Sequence, residues 1–144
     1  GSLEAGSVHC RALRSSGACR VNGDVEAETA VLSGAAEIGG LLNAETVEIS
    51  ANRAVHISAI GGGTIRVLQK DTATVLGIFH TSPGCARIDS IEGDNIELEN
   101  VEAEIVRGKY VRIGHGCRIG TVEFGENLEA EPGTVRQSTQ TGTK

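Results

Sequence analysis

Val25-Glu26-Ala27-Glu28-Thr29 returns seventeen residues later as Leu42-Asn43-Ala44-Glu45-Thr46, and the same step backwards reaches Val8-His9-Cys10-Arg11-Ala12. The interval also links Gly17 to Gly34, Gly23 to Gly40, and Val21 to Ile38 to Val55. A copy stretched by one residue carries Val47-Glu48-Ile49 onto Ile65-Arg66-Val67 and Ile60 onto Ile78. Self-similarity at a fixed short period is the signature of a repeat architecture.

A finer spacing lies inside each copy. Apolar-x-apolar pairs stand at 8/10, 13/15, 19/21, 25/27, 30/32, 36/38, 42/44 and 47/49, then at 55/57, 60/62, 65/67 and 73/75, with Ser15 and Gly62 the weak members. After an irregular stretch at 79–87 they resume at 96/98, 101/103, 111/113, 117/119, 122/124 and 128/130. Each pair reads as an inward-outward-inward strand fragment, because successive side chains of a strand point to opposite sides. Three pairs fill one repeat, which describes a coil with three short faces and three corners. No apolar series follows the helical spacing, and Gly interrupts every candidate helix. Strands this short must stack on like neighbours one coil away. The expectation is an all-β, three-sided parallel β-solenoid of about seven coils of 15–18 residues, roughly 35 Å long at the usual strand spacing. Residues 8–135 form that domain, residues 1–7 an N-terminal segment in which Gly1-Ser2 reads as an expression scar, and residues 136–144 a disordered polar tail.

Composition agrees with such a core. The chain has 144 residues, 20 of them Gly, with only Phe79, Tyr110 and Phe124 aromatic. Interior columns such as Val8/Val25/Leu42/Ile60/Ile78 and Leu13/Ala30/Val47/Ile65 need no large side chain. Cys10 stacks with Ala27 and Ala44, and Cys19 with Ala36, so these cysteines read as small core residues. Gly17, Gly23, Gly34, Gly40, Gly93, Gly108, Gly116 and Gly125 fall between pairs, where a corner needs positive φ. Outward positions hold Glu26, Glu28, Glu48, Arg66, Glu97, Glu102, Arg112, Arg118, Glu123 and Glu129, a solvated dressing of the rod. A net charge of −6 gives no electrostatic footprint for nucleic acid, and scattered aromatics give no base-stacking platform.

Catalytic signals are sparse. His9, His56, His80 and His115 are the candidate bases or metal ligands, and the four cysteines form no C-x-x-C. A three-sided parallel solenoid invites comparison with hexapeptide-repeat acyltransferases, but pairs here are often five apart and the Ile-Gly steps form no regular series. His80, Ser82 and Cys85 lie in the turn-rich bulge at 79–85, without an orienting carboxylate or oxyanion donors in the pattern. Catalytic, cofactor and metal sites are therefore not expected.

The C-terminal half carries a sharper resemblance. Ile91-Glu92-Gly93-Asp94-Asn95-Ile96-Glu97-Leu98-Glu99-Asn100-Val101 leads into Val106-Arg107-Gly108-Lys109-Tyr110-Val111-Arg112-Ile113-Gly114, then Gly116-Cys117-Arg118-Ile119 and Val122-Glu123-Phe124. With the N-terminal copies at Val21–Ala27 and Ile38–Ala44, this resembles the bactofilins, polymer-forming bacterial cytoskeletal proteins, and more narrowly their Bacillus-type branch. The resemblance implies a right-handed β-helix that polymerises end to end without nucleotide or other cofactor. It implies partners in other copies of itself, other bactofilins, and membrane or cell-envelope proteins. It also implies a cytoplasmic place at the inner face of the membrane, although the short N-terminal segment that attaches family members to lipid is not visible in residues 1–7. Phe124 matches the aromatic that supports polymer contacts in the family.

Elementary physics points the same way. A solenoid ends in unpaired strand edges and an apolar cross-section unless a cap hides them. The candidate contact residues are Val8 and Leu13 in the first coil and Val122, Phe124 and Leu128 in the last. The expected function is a structural, non-enzymatic protein that self-assembles through its coil ends. The alternatives are a non-polymerising binding scaffold and a solenoid acyltransferase using His56, His80 or His115.

Overall fold

A computed structural model describes residues 2–50, 55–68 and 86–141. Among them every regular element is a strand: β1 (Ser2–Ala5), β2 (Val8–His9), β3 (Ala12–Ser15), β4 (Ala18–Val21), β5 (Val25–Leu32), β6 (Ala35–Ile49), β7 (Val55–Leu68), β8 (Ala86–Glu99), β9 (Val101–Ile113), β10 (Arg118–Ala130) and β11 (Val135–Gln140). No helix among the described residues is long and apolar enough to cross a membrane. All pairings are parallel, and they join one coil to the next along the order β1-β4-β6-β7-β8-β9-β10-β11, with β2 and β3 laid on β5 and β5 on β6. The result is a three-sided parallel β-solenoid of about seven turns.

Each face presents two inward positions per coil. On the first face Cys19, Ala36, Val55 and Ala86 succeed one another in register, followed by Val101. The second face runs Val8, Val25, Leu42, Ile60, Ile91, Val106 and Val122. The third runs Leu13, Ala30, Val47, Ile65, Ile96, Val111 and Leu128. Val25, Leu42, Ile60, Ile91, Val106 and Val122 are buried almost completely. A fully buried Val or Ile contributes roughly 1.5–3 kcal/mol relative to exposure, so successive rungs, rather than any one large side chain, hold the rod. Phe124 packs against this core from its edge.

Three expectations are corrected. The step of eighteen placed Ile78 on Ile60, whereas Ile91 occupies that position, thirty-one residues on, as Arg66 and Glu97 also show. Period arithmetic assumes a constant step, and the register here departs from it between Leu68 and Ala86. Ile78, the 73/75 pair, His80, Ser82 and Cys85 lie outside the described residues. The irregular stretch also ends earlier than the spacing implies, since Ala86 and Ile88 are already buried rungs of β8. Finally, the coils extend past both assigned boundaries. Ser2–Ala5 pairs with Ala18–Val21, and Val135–Gln140 pairs with β10 instead of forming a loose tail. A parallel ladder is built from backbone groups, so a polar segment joins it wherever it keeps the register.

Glycine serves stacking more than turning. Positive φ occurs at Gly34, Gly116, Gly133 and Asn100 among the described residues, with Asn100 at φ 55. At Gly93 the constraint is instead the coil beneath it, because a Cβ there would stand 2.6 Å from the Gly62 carbonyl oxygen. Gly108 repeats the arrangement over Gly93, at 2.9 Å.

Candidate functional site

The ends of the rod are where the ladder leaves strand edges without a described neighbour. At the N-terminal end these are β1, β2 and β3, one on each face. Their inward residues include Val8 and Cys10, both half-buried, and Leu13, 7% exposed. At the C-terminal end β11 covers the first and second faces, putting Val135 on Ile119, Ser138 on Val122 and Gln140 on Phe124. The Gln140 amide donates back to the Gly125 carbonyl at 3.3 Å, and the Thr141 backbone N–H donates to the Phe124 carbonyl at 2.9 Å. The third face has no such cover. There Asn127–Ala130 pairs with Tyr110–Ile113 of β9 on one side and leaves its other side open among the described residues.

The five candidate contact residues therefore separate. Val8, Leu13 and Leu128 lie on rungs with an open side. Val122 is 0% exposed beneath Ser138, and Phe124 lies half-buried beneath Gln140. Val122 is enclosed core, which removes it as a contact residue unless β11 leaves. Val122 continues the column of Ile91 and Val106, while Phe124 lies on Gly108 and Gly93, where glycines leave room for a ring. Ser138 and Gln140 were missed because a polar residue at an inward position carries no hydropathy signal. The sixteen-residue step from Ile119 to Val135 was the available clue.

Outward side chains form columns of alternating sign along the rod. On the third face the register runs Arg14, Val31, Glu48, Arg66, Glu97, Arg112 and Glu129. Arg66 lies between two carboxylates, with Nη1 3.9 Å from Glu48 and Nε 3.3 Å from Glu97, and Arg112 Nε lies 3.4 Å from Glu129. On the first face Arg20 likewise bridges Glu4 at 4.0 Å and Glu37 at 3.1 Å. Arg107 meets Glu123 at 3.1 Å on the second. Each pair is exposed and contributes at most about 1 kcal/mol. Their shared effect is on register, since a slipped coil sets like charges against each other.

The residues considered for catalysis are dispersed. His9 faces Glu26 at 3.8 Å on the second face, His56 lies in the first-face column between Glu37 and Arg87, and His115 is exposed at a turn. No three metal-ligating side chains cluster among the described residues. A groove of about 880 Å³ on the first face is lined by Arg87, Asp89, Glu102, Glu104, Arg118 and Arg136, a balanced mixture of signs. Cys19 and Cys117 are buried, Cys10 half-buried, and burial pushes the Cys19 thiol up, keeping it protonated.

Comparison with known proteins finds one named relative. The uncharacterized protein YhbF of Bacillus subtilis (strain 168) is 38% identical over 77 residues, which cover 54% of this chain and 31% of that protein. The matched stretch thus spans about a third of the relative's length. No family model and no solved structure matches the chain.

Proposed function

We propose that this β-solenoid is a structural protein that assembles end to end, one rod stacking on another, to form filaments without nucleotide. The observation that carries the reading is the pair of open ends. The outward-facing backbone N–H and C=O groups of β1, β2 and β3 at one end, and of Asn127–Ala130 at the other, have no described strand beyond them. Unpaired edges of this kind template pairing with another chain. Half-buried Val8 and Leu128 add apolar surface that a second rod would remove from water. The resemblance of the coil sequences to bactofilins supports the same reading and adds a cytoplasmic scaffolding role in cell shape, polarity or motility structures.

The test is direct. Purified chain, free of nucleotide and added metal, is examined by negative-stain electron microscopy and light scattering over a range of salt and protein concentration. Filaments or rods longer than one molecule are expected. Monomers throughout would overturn the proposal and leave a binding scaffold, for which the alternating charged faces are the available surface.

A further inference from the structure

We infer that the third-face edge Asn127–Ala130 is a slot for one extended peptide of a partner protein, added as a parallel strand whose residues read polar, aliphatic, basic, aliphatic. The inference goes beyond end-to-end assembly and does not depend on it. β11 lies on β10 over the first and second faces and stops at the corner, where the Thr141 N–H reaches the Phe124 carbonyl at 2.9 Å. Over Asn127–Ala130 no described strand follows, so this edge is sunk one rung below β11. At the far end of the slot the chain climbs through Glu131 to Thr134, and the buried Thr134 hydroxyl donates to the Glu131 carbonyl at 2.6 Å. Both ends of the slot are thus fixed by hydrogen bonds before anything binds, which lowers the ordering cost. A complete coil set against β11 is held off this edge by that rung and leaves a space one strand high. Open edges of this kind accept an extended peptide through main-chain hydrogen bonds, and alternate side chains supply the specificity.

The residues along the edge name the chemistry of the occupant. Two inward columns end here, one running Ile96, Val111, Leu128 and the other Leu98, Ile113, Ala130. Val111 and Ile113 are buried, whereas Leu128 is half-buried and Ala130 exposed, so an aliphatic side chain belongs above each. Between them Glu129 points outward with Arg112 3.4 Å below it and an open rung above. Glu97, in the same column, stands in register between Arg66 and Arg112, so Glu129 lacks the second cation that Glu97 has. Exposed Glu126 and Glu131 flank the slot and add to its negative charge. A basic residue therefore suits the place over Glu129, while an acidic one would set like charges directly opposite. The chain writes this pattern twice where its own strand lies over a glutamate on this face. Thr64-Ile65-Arg66-Val67 lies over Thr46-Val47-Glu48-Ile49, and Tyr110-Val111-Arg112-Ile113 over Asn95-Ile96-Glu97-Leu98.

The probe is a fluorescein-labelled peptide, Gly-Gly-Thr-Ile-Arg-Val-Leu, copied from residues 62–68, with a second peptide carrying Glu in place of Arg. Fluorescence anisotropy is read with the full chain at concentrations where light scattering finds single molecules. The Arg peptide is expected to bind saturably and the Glu peptide about fivefold more weakly at low salt, the gap narrowing as salt is added. Glu129→Arg, at an exposed position, should invert that preference while circular dichroism stays unchanged. Amide deuterium exchange should slow within Asn127–Ala130 when the Arg peptide is added. Absence of binding by the Arg peptide would overturn the inference. So would equal binding of that peptide to wild type and Glu129→Arg, since the contact would then lie elsewhere. If bound peptide is lost as the chain concentration rises, a second copy is the occupant and the peptide reading falls. Filament formation is scored separately by microscopy. A chain that binds peptide but never forms filaments ends the assembly reading alone, and filaments without peptide binding end this inference alone.

Discussion

The two ends of the rod share a coil geometry and differ in what occupies the inward positions. The first coil presents Ala5, Val8, Cys10 and Leu13 on edges that nothing described covers. The last places Ser138 and Gln140 over Val122 and Phe124, so on the second face the apolar columns stop one rung before the ladder does, while on the first Val135 continues over Ile119. Among the described residues the third face ends one rung earlier than the other two, with Leu128 and Leu13 as its terminal apolar residues. Strand stacking is thus indifferent to side chains, whereas stickiness is not, and substitution can break the two properties apart.

The largest contrast is between middle and end. Ile91→Ala, in a column closed above and below, is expected to cost roughly 2–5 kcal/mol in urea denaturation. Leu128→Ala, half-covered, is expected to cost about 1 kcal/mol, and equal losses would show that the end rung is as enclosed as the middle. Ending the chain after Thr134 strips β11 from Val122 and Phe124. A loss of roughly 2–3 kcal/mol is expected, with new binding of a hydrophobic dye. No change in either readout would mean β11 is not a cap.

A smaller effect comes from glycines that meet the coil beneath. Gly93→Ala brings a Cβ to 2.6 Å from the Gly62 carbonyl, whose rung is fixed from both sides, and about 1–3 kcal/mol is expected from overpacking. Gly23→Ala makes the same collision with the Gly6 carbonyl at 2.7 Å. Gly6 belongs to the first coil and is held from one side only, through its carbonyl's hydrogen bond from the Gly23 N–H, so less than about 1 kcal/mol is expected there. Equal melting temperatures for the two variants would remove the distinction between inner and outer coils. Smallest is a pH effect on the N-terminal coils. Burial raises the Cys19 thiol in the folded chain, so the folded state holds its proton more tightly than the unfolded one. Its contribution is intact below the ordinary thiol range near pH 8.5 and is lost as pH rises beyond it. Cys19→Ala should flatten that alkaline slope in pH-dependent melting.

Much of this molecule was legible as text, for a physical reason. A parallel stack repeats one environment per coil, so Val25, Leu42 and Ile60 face the same surroundings and the sequence repeats with them. The alternation at Val47-Glu48-Ile49 likewise placed inward and outward residues correctly. What escaped were features that repeat nothing. The thirty-one-residue step from Ile60 to Ile91 departs from the period, and the arithmetic sent the Ile60 column toward Ile78. β11 keeps its place through backbone bonds, so Ser138 and Gln140 looked like tail. The charged residues were read as a solvated face, and exposed they are. Their order of sign along Glu48, Arg66, Glu97, Arg112 and Glu129 emerges only once the register is known.

Strands that lie across the rod put their hydrogen bonds along it. Tension applied from end to end therefore loads successive inter-coil junctions in series, and the rod is as strong as its weakest junction. A crosswise force meets covalent backbone instead. The final rung, where β11 meets β10 on two faces only, is the junction that yields first under axial pull. A rod of this kind is stiff against bending and shear, and when stretched it parts first at that C-terminal rung.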